Sequence, residues 1–180
     1  MWDASVFTGP RYRKLKTALD ADLAIFSSHL PLDAHPAIGN AAQLASALGL
    51  EKVRPFFPYK GEPIGVRGEL EMPRRALKQQ IEKVVGRTHV CAGGPERVQQ
   101  IGIVTGGAGS EVAAVAAEGI DTFITGEGPH WSYTMAEELG LNVFYAGHYA
   151  TETFGVKALA AQLGEKFALP WEFIDHPTGL

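Results

Sequence analysis

Apolar and polar positions along the 180-residue chain switch repeatedly between two spacings. Short continuous apolar runs such as Leu23-Ala24-Ile25-Phe26 and Thr122-Phe123-Ile124-Thr125 have strand length. Between such runs lie stretches with helical spacing, for example Tyr12, Leu15 and Leu19, which would turn inward while Arg11, Arg13, Lys14 and Lys16 form a solvated face. The pattern predicts helices near residues 11–20, 40–48, 74–85, 111–118, 130–139 and 152–166. Strands are predicted near 23–28, 64–69, 88–91, 98–105, 122–125, 142–146 and 172–174. Strands alternating with helices define an α/β fold with a mostly parallel mixed sheet. The run from Pro55 to Pro63 is rich enough in proline to predict a crossing loop, and Gly93-Gly94-Pro95 predicts a turn. These breaks divide the chain into a first strand-helix unit (1–54), a linker with a small inserted subdomain (55–95) and a second strand-helix unit (96–180).

Composition narrows the range of partners. A 46% hydrophobic chain of this length can bury a substantial core. A formal net charge of -4 supplies no basic stripe for a phosphate backbone, so nucleic acid is not an expected partner. Cys91 is the single cysteine, flanked by Val90 and Ala92 like a buried strand residue; no disulfide framework exists, in keeping with a reducing cytoplasm. No apolar run has bilayer-spanning length and no secretory signature opens the chain, so a soluble cytoplasmic protein with no membrane contact is expected.

The candidate chemistry begins with His148 and Glu152, four residues apart where a strand gives way to a helix. On a helix that spacing places both on one face, where nitrogen and oxygen donors can meet one metal ion; the competing reading is an ordinary surface pair. His29-Leu30-Pro31-Leu32-Asp33 repeats the His-x-x-x-acid arrangement, again after an apolar run. Behind each acid a glycine, Gly39 or Gly155, opens an alanine- and leucine-rich helix. Two related units, each presenting histidine and carboxylate at a strand's end, would face the same sheet edge, where ligands of open α/β sheets sit.

Two further segments point to that edge. Gly106-Gly107-Ala108-Gly109-Ser110 follows an apolar strand and precedes a helix, so its N–H groups could bind an anion or a substrate oxygen; a tight turn capped by Ser110 is the plainer alternative. Its spacing matches neither a P-loop nor a dinucleotide fingerprint. Glu127 and His130 lie on the glycine-rich turn after the Phe123 strand and could act as general base, general acid or substrate clamp, or simply cap the turn. His35, His89 and His176 read as structural or solvated.

Taken together, SSHLPLDAHPAIGNAAQLASALGL, GGAGS, DTFITGE with its following histidine, GHYATE and EFIDHPTGL resemble the type 2 GTP cyclohydrolase I homologues, also called dinuclear metal centre hexameric proteins. These motifs run in family order across nearly the whole chain. The resemblance implies two divalent ions, zinc, manganese or iron, with Asp33, His148 and Glu152 as ligands and Glu152 bridging. It also implies that His29 and His130 line the pocket, and that the protein is a homohexamer. The family's adjacent histidine pair has no counterpart, since no His-His dipeptide occurs in this sequence, so the first unit is expected to be N-terminally incomplete and the second metal position short of donors.

The function expected on these grounds is a metal-dependent hydrolase resembling GTP cyclohydrolase 1 type 2. Activated water would attack a nucleotide or other small polar substrate, with His29 or His130 as acid toward the leaving group. The alternative is a non-catalytic metal-binding assembly or regulatory scaffold.

Overall fold

The computed structural model describes residues 7–179; the Trp2-Asp3 start lies outside them. Its six strands are β1 (Glu51–Tyr59), β2 (Glu62–Pro73), β3 (His89–Ala92), β4 (Arg97–Ile103), β5 (Thr122–Thr125) and β6 (Asn142–Tyr145). They form one sheet in the order β1-β2-β4-β5-β6-β3. The helices are α1 (Gly9–Asp20), α2 (Leu30–Asp33), α3 (Asn40–Ala47), α4 (Arg74–Val85), α5 (Val112–Ala117), α6 (Trp131–Glu138), α7 (His148–Thr151) and α8 (Thr153–Phe167).

The centre of the sheet positions the site. β4, β5 and β6 are parallel, with Ile103 opposite Ile124 and Ile124 opposite Phe144. Their carboxyl ends therefore lie side by side, and the glycine loop, the Glu127 turn and His148 each follow one of them. Strand alternation splits the buried side chains between two faces. Ile101, Ile103, Ile124 and Phe144 pack against Leu44 and Leu48 around α3 and against Leu77 and Ile81 of α4. Phe123, Val143 and Cys91 pack on the other face against Val112 and Val115 of α5 and Ala136 of α6. Cys91 is fully buried as expected, and burial pushes its thiol pKa up.

The α/β class holds, but parallel pairing is confined to the centre. β1–β2, β2–β4 and β3–β6 are antiparallel, because a tight hairpin joins β1 to β2 and a short turn joins β3 to β4. The expected loop at 55–63 is this hairpin: Pro55 lies opposite Val66 and Pro58 opposite Pro63. β1 is the edge of the sheet, the position where a strand tolerates a residue without an N–H. The 55–95 segment, expected as a linker with a subdomain, supplies β2, α4 and β3 to this same sheet.

Two predicted strands do not form. Residues 23–28 have no strand partner among the described residues, and Leu23, Ile25 and Phe26 are 61%, 69% and 82% exposed. A lone apolar run leaves its backbone groups to water, so hydrophobicity alone does not make it a strand. Residues 172–174 are likewise irregular. In α1 only Ala18 is buried, and Tyr12, Leu15 and Leu19 face solvent rather than inward. Gly155 is a buried residue inside α8 rather than its opening.

Candidate functional site

Both His-x-x-x-acid segments fold as one helical turn. His29 precedes α2 and Asp33 ends it; His148 begins α7 and Glu152 follows it. Although far apart in sequence, the two turns meet: His29, Asp33, His148 and Glu152 line one cavity of about 390 Å³ at the carboxyl ends of the parallel strands. Its remaining wall includes Thr105, Gly107, Ala108 and Glu111 from the glycine loop, and Phe57, Tyr59 and Lys60 from the β1–β2 hairpin.

Asn40 ties the turns together. Its side-chain N–H donates to Asp33 Oδ1 at 2.7 Å, and its Oδ1 accepts the Gly155 N–H at 2.7 Å. This buried amide fixes the Asp33 carboxylate against α8.

His148 is held from both sides. Its Nδ1 lies 2.8 Å from Glu127 Oε1 and its Nε2 3.3 Å from Glu152 Oε2. The hydrogen bond to Glu127 is the main cause raising the His148 pKa above the ordinary 6.5, reinforced by the charges of Glu152 and Glu127 and opposed by partial burial. Burial is likewise the main cause raising the Glu152 pKa; His148 opposes it and the Asp33 charge adds to it. Burial of the Glu152 carboxylate beside Asp33 disfavours its bare charge, a cost that a bound cation would relieve.

The sign of the His148 effect gives a direct test. A folded-state pKa above the unfolded one contributes stability that is complete below the unfolded value, near 6.5, and fades as pH rises through the raised pKa. In metal-free protein, Glu127→Gln is expected to bring the His148 imidazole pKa back toward its ordinary value. Imidazole proton shifts followed by NMR from mildly acidic to mildly alkaline pH measure it, and an unchanged midpoint would remove Glu127 from this role.

Glycines make the site possible. A Cβ on Gly106, whose φ is +69°, would meet the Glu152 carboxylate, and one on Gly126 would lie 2.7 Å from His148 Cα. The loop is locked from within: the Gly106 N–H donates to Thr151 Oγ1, its carbonyl accepts the Gly126 and Glu127 N–H groups, and the Gly109 N–H donates to the Glu127 carbonyl. The Gly106 and Gly109 N–H groups, expected among the donors of an anion loop with Gly107 and Ser110, are thus engaged within the protein. Gly107 alone of the four lines the cavity. Ser110 caps no helix; it is exposed and donates to Glu111 Oε1.

His130 stands apart from the other candidates. It lines a separate cavity with His89, Tyr133 and Tyr145, and Glu127 borders it. On the remaining side of His148 and Glu152, the chain after α8 forms a strap. The Tyr149 hydroxyl donates to Asp175 Oδ1 at 2.7 Å and accepts the His176 N–H at 2.8 Å, while Lys157 Nζ sits 4.2 Å from the Phe173 ring centre. Reading by motif misses Asn40, Lys60 and Glu111. A Tyr-Lys-Gly-Glu turn signal at 59–62 could locate the hairpin and with it Lys60, but nothing local marks Asn40.

Among the described residues, no three His, Cys, Asp or Glu side chains already stand as a metal-binding group. What the cavity holds is His148 and Glu152 in contact, with Asp33 and His29 on the same walls. In donor chemistry, an imidazole backed by a carboxylate on its other nitrogen, together with two mutually repelling carboxylates, fits one divalent cation. Among the described residues, the further histidine and acid side chains on this cavity are His29 and Glu111.

Fold and site define an α/β protein with an imidazole-carboxylate cavity at the carboxyl edge of a parallel strand triplet. The chain belongs to the Duf34/NIF3 (NGG1p interacting factor 3) family, whose pattern matches residues 2–178. It is 42% identical over 178 residues to a GTP cyclohydrolase 1 type 2 homolog of Deinococcus radiodurans, covering 96% of this chain and 67% of that relative. Among solved structures it resembles protein ybgI, of unknown function, with a TM-score of 0.89 and 40% identity over 98% of this chain and 71% of that one. TTHA1606 from Thermus thermophilus is similar at a TM-score of 0.87 and 38% identity, covering 99% of this chain and 71% of that one. Among the described residues no helix is long and apolar enough to cross a membrane.

Proposed function

We propose that this chain is a metal-dependent hydrolase-like protein acting on a nucleotide or another small polar molecule, with Asp33, His148 and Glu152 holding one divalent ion. The observation that supports it is the convergence of two separate His-x-x-x-acid turns on one cavity, with Asn40 aligning Asp33 and Glu127 aligning His148. A divalent ion held there would acidify water at neutral pH and polarise a substrate oxygen. The protein's own groups do the rest. Glu127, bonded to Nδ1, leaves Nε2 as the metal-facing nitrogen, so Glu127 acts through His148 as a positioning residue. His29 stands on the same cavity and can pass a proton to a leaving group.

The relatives' name, GTP cyclohydrolase 1 type 2 homolog, favours a nucleotide among the candidate substrates. The test is to measure zinc, manganese and iron(II) binding by calorimetry, then assay the loaded protein on a panel of nucleotides, phosphoesters and amides. Ion binding and turnover of at least one class, with turnover lost in Asp33→Asn and Glu152→Gln, is the expected result. Absence of ion binding would remove the proposal, and ion binding without turnover would leave the second reading.

That second reading is a metal-binding assembly or scaffold protein, in the form of the homohexamer that the family resemblance implies. What favours it is the apolar surface of Tyr12, Leu15, Leu19, Leu23, Ile25 and Phe26, all exposed in the single chain.

A further inference from the structure

The cavity on the far side of Glu127 is separate from the imidazole-carboxylate cavity and has a volume of about 490 Å³. Four rings wall it. His89 lies 5.7 Å from Tyr133 and 6.3 Å from Tyr145, centre to centre, at interplanar angles of 41° and 33°, and His130 completes the wall. Three of these residues come from distant parts of the chain: the edge strand β3, the helix α6 and the strand β6.

The rings are fixed rather than loosely apposed. Ser132 Oγ donates to the Pro129 carbonyl at 2.6 Å, so the 2.8 Å contact between Ser132 and Tyr145 has the tyrosine hydroxyl as donor. Gly128 lets the Tyr145 ring approach, since a Cβ there would stand 2.9 Å from Tyr145 Cε1. At the border of the cavity stands Glu127, whose Oε1 is 2.8 Å from His148 Nδ1.

We infer that this cavity binds a planar nitrogen heterocycle, stacked on the histidine and tyrosine rings and donating an N–H to the Glu127 carboxylate at its border. Flat rings at fixed angles favour an aromatic face over a saturated chain, and the carboxylate selects an N–H edge and repels an anion. His130, placed by sequence among the catalytic groups, belongs to this recognition surface. The inference does not require a bound ion, because none of the four rings borders the cavity of Asp33, His148 and Glu152; Glu127 alone is shared, through its bond to His148.

The probe is 2-aminopurine, whose fluorescence is quenched when it stacks. The full chain is titrated in the presence of EDTA, so that failure of ion binding has no bearing on the outcome. Saturable quenching below millimolar concentration is expected. It should weaken about tenfold in both His89→Ala and Tyr133→Leu, as expected for the loss of one stacking face. His89 is exposed on an edge strand, so its alanine variant keeps the fold, as far-UV circular dichroism will verify. Absence of saturable quenching, or equal affinity in the wild type and both variants, overturns the inference. So does displacement of the probe by tetramethylammonium, which would instead mark a cation cage.

Discussion

Gly126→Ala is expected to destabilise the protein by about 3 kcal/mol, the upper range of overpacking costs, because the new methyl would press on backbone from two directions. Its Cβ would lie 2.6 Å from the Gly106 carbonyl oxygen and within 3 Å of His148 Cα and N. None of these atoms can swing away as a side chain could. The Gly147 N–H also bonds to the Gly126 carbonyl, so a shift of residue 126 would drag the start of α7 with it. Gly140→Ala is the control: its φ of +68° imposes a backbone cost of roughly 1–2 kcal/mol, with nothing nearby for the methyl to strike. Urea midpoints of the two variants measure the difference, and similar losses would mean that the contact at Gly126 relaxes freely.

The second large effect is expected at His148. His148→Ala should reduce divalent-ion affinity by more than Glu127→Gln, for which about 10–100-fold is expected from removal of a ligand's hydrogen-bonding partner. In the wild type, affinity should climb as pH rises through the elevated His148 pKa, since an ion must displace the proton on that imidazole. Calorimetric titration with zinc at three values spanning mildly acidic to mildly alkaline pH checks both the order of the variants and the slope. If His148→Ala binds as tightly as the wild type, the ion is held elsewhere.

Much of this arrangement is legible in the order of residues, for reasons specific to each element. Residues 74–85 and 122–125 match their predicted bounds because the information is local: an amphipathic helix with Leu77 and Ile81 inward, and four successive buried residues of a central strand. The runs at 23–28 and 172–174 have strand-like composition, but a strand depends on a neighbour, which composition does not encode. Pro55 and Pro58 mislead for a related reason, since proline is harmful or harmless in a strand according to whether that strand is at an edge. In the site, the repeated His-x-x-x-acid spacing picks out four side chains that share one cavity. The same reading cannot separate His130 from them, because the turn after β5 carries within four residues both Glu127, which bonds to His148, and His130, which only lines the other cavity.

The amide of Asn40 carries a further consequence. Its two ends are chemically unlike, one giving a proton to Asp33 and the other taking one from the backbone of Gly155. An aspartate of identical outline would keep the second bond but turn a bare oxygen toward Asp33, setting anion against anion in a closed space. Hydrolysis of this single side-chain amide, a common form of chemical ageing, would therefore unseat the Asp33 carboxylate while leaving the bond to Gly155 and the hydrophobic interior intact.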